Sequence, residues 1–492
     1  MSFIRQFFIY GLSGAASRLA AVVLVPLYTR TLSITDYGRL ELLLALHALV
    51  VILSGLQTES SIAREFFEQD EDQCEARKRS WWALTLSTLG SAVISVVAVA
   101  IWNVAGMSSE LNGVQLVLLL ALTLPAQLLG VQLVMLRFQG SAMRFALVSF
   151  ADLTSCALFS ALYIVTLGWG LDGALLGILS GKLVCVMLAW ARTFGRPPQG
   201  GLTWSTAKKM LDYGVPSIPA VLIGWIQNAG NRLLLAVALT LNEVAVAGIA
   251  IKVAAIYGFV VYSYRLAWEP FSMAKLNGID DDPHIFNRAL QWYVLLMFSA
   301  CGVAILLSPF VARVLAPPIY VASGWLAAFF LLGQFWAGAT NVLAIGIHRA
   351  RRTGLLLPVF GLGALVNLAL LFSLSRLVGI AAAGIGFMVG SIVSAYAACH
   401  YSNRHLSVPF SAPLLHWTLL ATTVSAGAWY GLWLRVQDQA SGTPLPSPLI
   451  VVIGMAGVAS LVAMVVWRSF EPGRATAMWG SLLVALRTTV MR

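Results

Sequence analysis

Four basic side chains lie within apolar stretches that are long enough to cross a bilayer: Arg18, Lys182, Arg232 and Lys252. A cation in the hydrocarbon core costs about 2.5 kcal/mol or more, so it requires a water-filled cavity or an anionic partner. Arg presents a planar fork of donors that matches phosphate or carboxylate, and Lys neutralises the same groups as a point charge. The pattern therefore predicts a transport pathway for a negatively charged molecule.

The positions of three of these cations favour a role in lining a cavity. Arg18 lies near the middle of the first apolar stretch and Lys252 near the middle of the eighth, so neither reaches the interface easily by snorkelling. Arg232 lies nearer one end of its stretch, with Asn228 four residues earlier on the same helical face. A structural ion pair with a neighbouring helix, or an interfacial anchor for Arg232, is the alternative.

Few titratable groups in the apolar stretches are candidates for ion coupling or for a secondary role in the cavity. Glu41 and His47 lie in the second stretch and Asp152 lies early in the fifth. Each would titrate differently once removed from water. Lys182, central in the sixth stretch, either lines the cavity or pairs with Asp152. For His47, the alternative is a core histidine with satisfied hydrogen bonds.

The elements that position these residues are membrane-spanning helices. Of the 492 residues, 59% are hydrophobic and only 10% are charged, against roughly 25% charged residues in a soluble domain. A helix needs about 20 apolar residues to cross the hydrocarbon core. An all-α polytopic protein is predicted, with fourteen spans near residues 7–29, 40–57, 81–104, 113–136, 146–167, 171–191, 211–238, 243–264, 290–312, 320–346, 353–375, 378–400, 411–434 and 448–467.

The distribution of Lys and Arg predicts the orientation of these spans. Most of the 31 basic residues fall at the N-terminus, in even-numbered connections or in the C-terminal tail. Because short cytoplasmic loops are enriched in Lys and Arg, both termini are expected in the cytoplasm. The net charge of +11 then reflects topology and anionic headgroups, and nucleic acid is not an expected partner.

A weak internal repeat predicts how the spans are grouped. Tyr10-Gly11 begins a span that reaches Arg30, and Tyr213-Gly214 begins another that reaches Arg232. Six spans separate the two, which fits a parallel repeat about an axis along the membrane normal. The predicted units are an N-lobe over 1–200, a C-lobe over 201–405, an appendage of two spans over 406–470, and an amphipathic cytoplasmic tail over 471–492.

Catalytic and metal-binding roles are not predicted. The five cysteines have neither CxxC nor His-rich spacing, and no outer connection is long enough for a catalytic domain. Gly181-Lys182 lacks the first glycine and the Ser/Thr of a phosphate-binding loop and lies within a span. The chain is therefore expected to be a transporter without a cofactor, driven by an ion gradient or by the membrane potential.

Prolines within the spans predict where the transporter bends. Pro216 and Pro219 lie in the seventh span and Pro26 lies in the first. Proline removes a backbone donor and permits bending in a membrane helix. We expect spans one and seven to bend at these residues, the alternative being static kinks that improve packing.

Two stretches carry a resemblance to a known family. Pro26 to Gly38, with Arg30 and Asp36-Tyr37-Gly38, resembles the first-span exit of bacterial polysaccharide-biosynthesis flippases, which are oligosaccharide-lipid flippases of the MATE-like (MOP) superfamily. Leu211 to Lys252, followed by Trp268-Glu269-Pro270-Phe271, resembles their second-lobe signature. Asn231 departs from the pattern, because an acidic residue commonly precedes the arginine in that family.

The resemblance implies a MATE-like, two-lobed, V-shaped bundle with a pseudo-twofold axis along the membrane normal, working by alternating access. The implied cargo is an undecaprenyl-diphosphate-linked oligosaccharide repeat unit, moved across the bacterial inner membrane for O-antigen, capsule or exopolysaccharide synthesis. Arg18 and Lys252 become the preferred diphosphate contacts, followed by Arg232 and Asn228. Membrane lipids are further expected partners, and the tail lies on the membrane or binds a polysaccharide polymerase or glycosyltransferase.

Three other classes remain as alternatives. A flippase for a lipid-linked peptidoglycan precursor has a similar cationic cavity and the same number of spans. A MATE-like multidrug exporter would carry cationic drugs and therefore favour acidic cavity residues. A repeat-unit polymerase or ligase would normally need a large outer loop, which the predicted topology lacks.

Overall fold

The computed structural model describes residues 22, 24–68, 73–104, 112–138, 142–195, 198, 202–275, 285–350, 352–405, 410 and 412–438. Within these ranges the chain is almost entirely helical and contains no strand. The α-helices are α1 (Val25–Thr31), α2 (Ile34–Ser54), α3 (Thr58–Glu68), α4 (Gln73–Val104), α5 (Gly113–Phe138), α6 (Ala142–Ala161), α7 (Gly170–Thr193), α8 (Trp204–Trp225), α9 (Asn231–Ala238), α10 (Leu241–Lys275), α11 (Ile285–Leu315), α12 (Ala322–Leu343), α13 (Ile345–Arg349), α14 (Leu356–Val378), α15 (Ala381–His405) and α16 (Ala412–Asp438).

Ten helices in the described ranges are long and apolar enough to cross a membrane, so the chain is a multi-pass membrane protein. They coincide with predicted spans two to six and eight to twelve. Several extend beyond the predicted limits: α4 begins at Gln73 and α10 ends at Lys275. Helical hydrogen bonding continues past the hydrocarbon core, whereas hydropathy marks only the apolar part of each helix.

The ends of the predicted topology are only partly covered by the structure. Predicted span thirteen corresponds to α16, a helix of 27 residues. Most of span one, including Arg18, lies outside the described residues, as do span fourteen and the tail over 471–492. The boundaries of the predicted lobes stay predictions. The first half of the chain means residues up to 200, and the second half means residues from 201 onward.

Predicted span seven consists of two α-helices with an irregular segment between them, which the sequence did not predict. A π-helical segment, Ile226–Gly230, separates α8 from α9. Helix α8 continues through Pro216 and Pro219, so the irregularity lies about two to three turns after the prolines. Pro26 lies in the first turn of α1, where its missing N–H leaves no helical hydrogen bond unmade. Bending at the three prolines stays a prediction.

Burial separates helices that face lipid from helices that form the core. In α12, 83% of the most apolar segment of the helix is buried. The helix is apolar on all sides and packs against α10, α11 and α15. In α4 the corresponding value is 17%, and side chains such as Val93 and Val96 are exposed. A long apolar helix with one exposed face is what a lipid environment permits.

Contacts join the two halves at both ends of α2. Near its first residue, the Thr35 hydroxyl donates to Asn242 Oδ1 at 3.0 Å. Beyond its last residue, the Ser61 hydroxyl donates to the Met210 carbonyl at 2.7 Å. Between these points α2 packs along α10, most closely at Gly38, where a Cβ atom would lie 2.1 Å from the Leu241 carbonyl oxygen. Helix α2 therefore forms the first half's central contact with the second half.

The short helix α3, which is not one of the ten possible spans, carries a carboxyl group in a confined position. The Glu59 carboxyl group packs against Gly130 of α5, so that a side chain at Gly130 would displace it. Burial raises the pKa of Glu59 to about 7, and the positive charge of Arg137 opposes this shift.

Stability should therefore depend on pH through Glu59. Because its pKa is higher in the folded chain, ionisation destabilises the fold, and stability falls as the pH rises from the unfolded value near 4.5 through about 7. We expect Glu59→Gln to stabilise the protein by about 1–3 kcal/mol near pH 8 and progressively less toward pH 4.5. Thermal unfolding in detergent at several pH values tests this, and a shift independent of pH would contradict it.

Candidate functional site

A buried carboxylate in α2 bridges two cations of the second half. Glu41 is fully buried, with an exposed fraction of 0%. Its Oε2 lies 3.0 Å from Nη1 of Arg232, and its Oε1 contacts Nζ of Lys252. Lys252 Nζ also donates to the hydroxyl of Tyr37 at 2.9 Å. We call these four residues the Glu41 cluster.

Three helices position the cluster. Tyr37 and Glu41 are four residues apart in α2, so both side chains lie on the helix face that meets the second half. Arg232 is the second residue of α9, directly after the π-helical segment, and Lys252 lies in α10. One turn before Lys252, Gly248 leaves room for Glu41, because a Cβ there would lie 2.8 Å from the Glu41 Cγ.

Three residues of the Glu41 cluster, namely Glu41, Arg232 and Lys252, line a cavity of about 400 Å³. Its apolar walls come from both halves. Among the described residues, the charged ones that line it are Glu41, Asp152, Lys182, Arg232 and Lys252. Three of these are basic and two are acidic, so the described lining of the cavity has a formal charge of +1. Such a cavity favours an anionic group over a cationic one.

A second ion pair lines the same cavity from α6 and α7. Lys182 Nζ lies 3.3 Å from Asp152 Oδ2, and both side chains are about one-quarter exposed. The ion pair with Asp152 is one of the two alternatives stated for Lys182. Because the pair also lines the cavity, the two alternatives stated for Lys182 are compatible.

Breaking the Lys182–Asp152 pair should destabilise the protein more than removing both charges. Lys182→Met leaves Asp152 without its cation, whereas the double substitution Lys182→Met with Asp152→Asn leaves no charge to compensate. Because the pair is partly exposed, we expect the single substitution to cost about 1–2 kcal/mol and the double one less. Thermal unfolding of both variants measures this, and equal costs would argue against a coupled pair.

Asn231, where the resemblance led us to expect an acid, has a structural role. It is fully buried, its Nδ2 donates to the Gln227 carbonyl at 3.1 Å, and its Oδ1 accepts from Asn367 Nδ2 at 2.9 Å. These bonds tie the π-helical segment and α9 to α14. The carboxylate partner of Arg232 comes from α2 instead of from the neighbouring position.

The remaining predicted site residues are placed as follows. Arg232 and Lys252 both contact the carboxylate of Glu41. The sequence predicted Glu41 as a candidate for ion coupling, not as a partner of these cations. His47 lies near the cavity without lining it, and its Nε2 is buried with no hydrogen-bond partner among the described residues. Arg18 and the Asn228 side chain lie outside what the structure describes.

The sequence did not predict the Glu41 cluster as a unit, and it marked Tyr37 only as part of a family motif, not as a site residue. A usable signal was present: one acid in the second apolar stretch, and two cations in the seventh and eighth. A buried carboxylate requires a cation, and a buried cation requires an anion. Which groups would meet could not be read from spacing, since more than 190 residues separate Glu41 from Arg232 in the sequence.

Comparison with known proteins identifies the family. The model of the polysaccharide biosynthesis protein family matches residues 3–273, more than half of the chain. The chain belongs to this family. No match was found among curated proteins.

Solved transporters share the fold. A multidrug resistance MATE family transporter of the MOP superfamily, in an inward-facing conformation, is 16% identical with a TM-score of 0.63 and covers 83% of this chain and 95% of its own. The lipid II flippase MurJ, in an inward closed conformation, is 12% identical with a TM-score of 0.51 and covers 95% of this chain and 99% of its own. The family member therefore has a MATE-like fold.

A MOP superfamily transporter from Pyrococcus furiosus is also similar. It is 16% identical with a TM-score of 0.51, covers 82% of this chain and 95% of its own, and is described as having a binding pocket of reversed polarity that suggests a different function. Family and fold together show a polysaccharide biosynthesis family member with the fold of MOP superfamily transporters.

Proposed function

We propose that this family member is a flippase that moves undecaprenyl-diphosphate-linked oligosaccharide repeat units across the bacterial inner membrane for surface polysaccharide synthesis. The observation that carries the proposal is the pair Arg232 and Lys252, which line a cavity between the two halves. A lipid diphosphate brings about two negative charges into the bilayer, and the excess positive charge of the cavity opposes their desolvation cost. The family match supports a cargo in polysaccharide synthesis.

The arrangement of the cavity suits a lipid-linked cargo. Its walls combine the charged residues with apolar side chains such as Leu44, Ile178 and Ile251. In the proposed mechanism the diphosphate binds Arg232 and Lys252, the sugars cross through water, and the polyprenyl tail stays in lipid. Alternation between inward-open and outward-open states would separate and remake the contacts at the two ends of α2.

Export of cationic drugs is the less favourable alternative. A drug cation would enter a cavity with three basic and two acidic residues, which repels it. The reversed pocket polarity described for the Pyrococcus furiosus transporter supports the view that this fold accommodates cavities of different charge. Translocation of a lipid-linked peptidoglycan precursor is the second candidate, since MurJ is similar over nearly the whole chain.

Deletion of the gene in its host tests the proposal. We expect surface polysaccharide to be lost and a lipid-linked repeat unit to accumulate in the inner leaflet. Both effects should be reversed by the wild-type gene and by Arg376→Gln, which removes an exposed charge at the end of α14. Normal polysaccharide without an accumulated intermediate would overturn the proposal. Rescue of a strain depleted of its peptidoglycan-precursor flippase would favour the second candidate.

A further inference from the structure

The two cations that would bind the cargo are already occupied by an anion of the protein itself. One Glu41 oxygen contacts Lys252 and the other contacts Arg232, on different helices. A carboxylate and a phosphoryl group both present oxygens to such cations, so Glu41 occupies the position that a phosphate of the cargo would take. The cargo's headgroup must therefore compete with Glu41.

Arg232 retains an unused donor for this competition. Its Nη1 lies 3.0 Å from Oε2 of Glu41, and its Nε is buried with no hydrogen-bond partner among the described residues. The side chain is 14% exposed and lines the cavity. A phosphate can accept from Nε and Nη together, which the carboxylate in its present position does not do. The arginine fork thus favours a phosphoryl group over Glu41.

Glu41 has little room to leave when it is displaced. Its Cγ and Cδ pack against Gly248 of α10, and the carboxylate is shielded from solvent. A buried carboxylate that loses both cations, beside an added dianion, is left without compensation, which is strongly unfavourable. Taking up a proton removes this negative charge and raises the formal charge of the described cavity lining from +1 to +2, which complements a headgroup with about two negative charges.

The groups facing Glu41 favour this step. Of the described residues, Lys182 is the other cation of the cavity, and it could take over as a counter-cation only by leaving Asp152. The described titratable and charged groups around Glu41 are Tyr28 from α1, Tyr37 from its own helix, Arg232 from α9, Lys252 from α10, Tyr320 beside Tyr37, and Asp152, Cys156 and Lys182 across the cavity.

We propose that Glu41 is an internal counter-anion, which the anionic headgroup displaces from Arg232 and Lys252 and which takes up one proton as it is displaced. The proton moves from a hydronium ion in the cavity water to a Glu41 oxygen, and the N–H donors exchange carboxylate for phosphate oxygens. No bond of the cargo changes. When the headgroup leaves, Glu41 releases the proton and pairs with the cations again. This coupling rests on the proposed function.

Proton uptake during binding tests the proposal. The full-length protein in nanodiscs is titrated with farnesyl diphosphate, and with inorganic pyrophosphate as the headgroup alone, in buffers of different ionisation enthalpy. We expect the wild type to take up about one proton more than Glu41→Gln. The Kd of the wild type should therefore increase by up to about tenfold for each unit by which the pH rises, relative to any change in the Kd of Glu41→Gln. Glu41→Gln should also bind more tightly near pH 8, because the competing anion is gone.

Controls separate the possible failures. Glu41→Asp keeps a carboxylate and should retain proton uptake, which guards against a Glu41→Gln variant that folds poorly. Asp152→Asn removes the other acid of the cavity and should also retain uptake. Binding with equal uptake in the wild type and in Glu41→Gln would overturn the coupling and leave the proposed function intact. Failure of the wild type to bind either probe would overturn the anion site, and the coupling with it.

Discussion

Lys252→Gln is expected to reduce export by roughly tenfold or more without lowering the amount of protein in the membrane. The substitution removes one of the two cations that would bind the diphosphate, while Arg232 still compensates the buried Glu41. Arg232→Gln should act in the same way, and so should Arg18→Gln if that residue reaches the cavity as predicted. Lys252→Arg should restore part of the activity, because it returns the charge with a different geometry.

Complementation of the deletion strain measures this prediction. Surface polysaccharide is quantified together with protein abundance in the membrane fraction, and Arg376→Gln serves as a matched loss of one positive charge outside the cavity. Full export by Lys252→Gln would contradict the assignment of Lys252 to the cargo. Lower abundance with unchanged export per molecule would assign it a structural role.

Removing both cations at once should have a different result. Arg232→Gln with Lys252→Gln leaves Glu41 buried without a cation, which costs about 3–5 kcal/mol and should lower abundance. Adding Glu41→Gln should restore the amount of protein but not export. Recovery of abundance in the triple variant would show that the three residues form one electrostatic unit. Equal abundance of the double and triple variants would contradict this.

Gly38→Ala is expected to disrupt both stability and transport. A Cβ at Gly38 would lie 2.1 Å from the carbonyl oxygen and 2.9 Å from the carbonyl carbon of Leu241. These are backbone atoms that cannot rotate away, so α2 and α10 would have to separate. Overpacking of this kind costs about 1–3 kcal/mol. Because Glu41 lies three residues later in α2, the same displacement would disturb its contacts with Lys252, and export should fall roughly tenfold or more.

A matched glycine provides the control. Gly302 lies within α11, and no atom of the described residues lies within 4 Å of a Cβ built there. Gly302→Ala should therefore leave export unchanged and raise stability by up to about 1 kcal/mol through helix propensity. Thermal unfolding and complementation of both variants test the comparison. Identical behaviour of Gly38→Ala and Gly302→Ala would argue that α2 and α10 do not pack this closely.

The sequence predicted the possible membrane spans well because each is a local property. Runs such as those of α5 and α12 are apolar over about 20 residues whatever surrounds them, and bilayer thickness translates that length into a span. The interruption at Ile226–Gly230 was not predicted. The sequence predicted bending at Pro216 and Pro219, whereas the irregular segment contains no proline.

The candidate site shows the same division between local and long-range information. The apolar surroundings of Arg232, Lys252, Lys182 and Glu41 alone established that each needs a partner or a cavity, because burying an uncompensated charge is costly anywhere in the chain. Which acid pairs with which cation, however, is decided by helix packing. Asp152 meets Lys182 across neighbouring helices, a pairing that proximity in the sequence made foreseeable.

The sequence by itself therefore determined that this is an all-helical membrane protein with buried cations suited to an anionic cargo, because hydropathy and charge act at every residue independently of the fold. Only the tertiary structure decided that Glu41 binds Arg232 and Lys252 together. The close approach of α2 and α10 at Gly38 and Gly248 brings that carboxylate to cations about 200 residues away. Such an approach depends on the shape of two whole helix surfaces, which spacing along one chain does not encode.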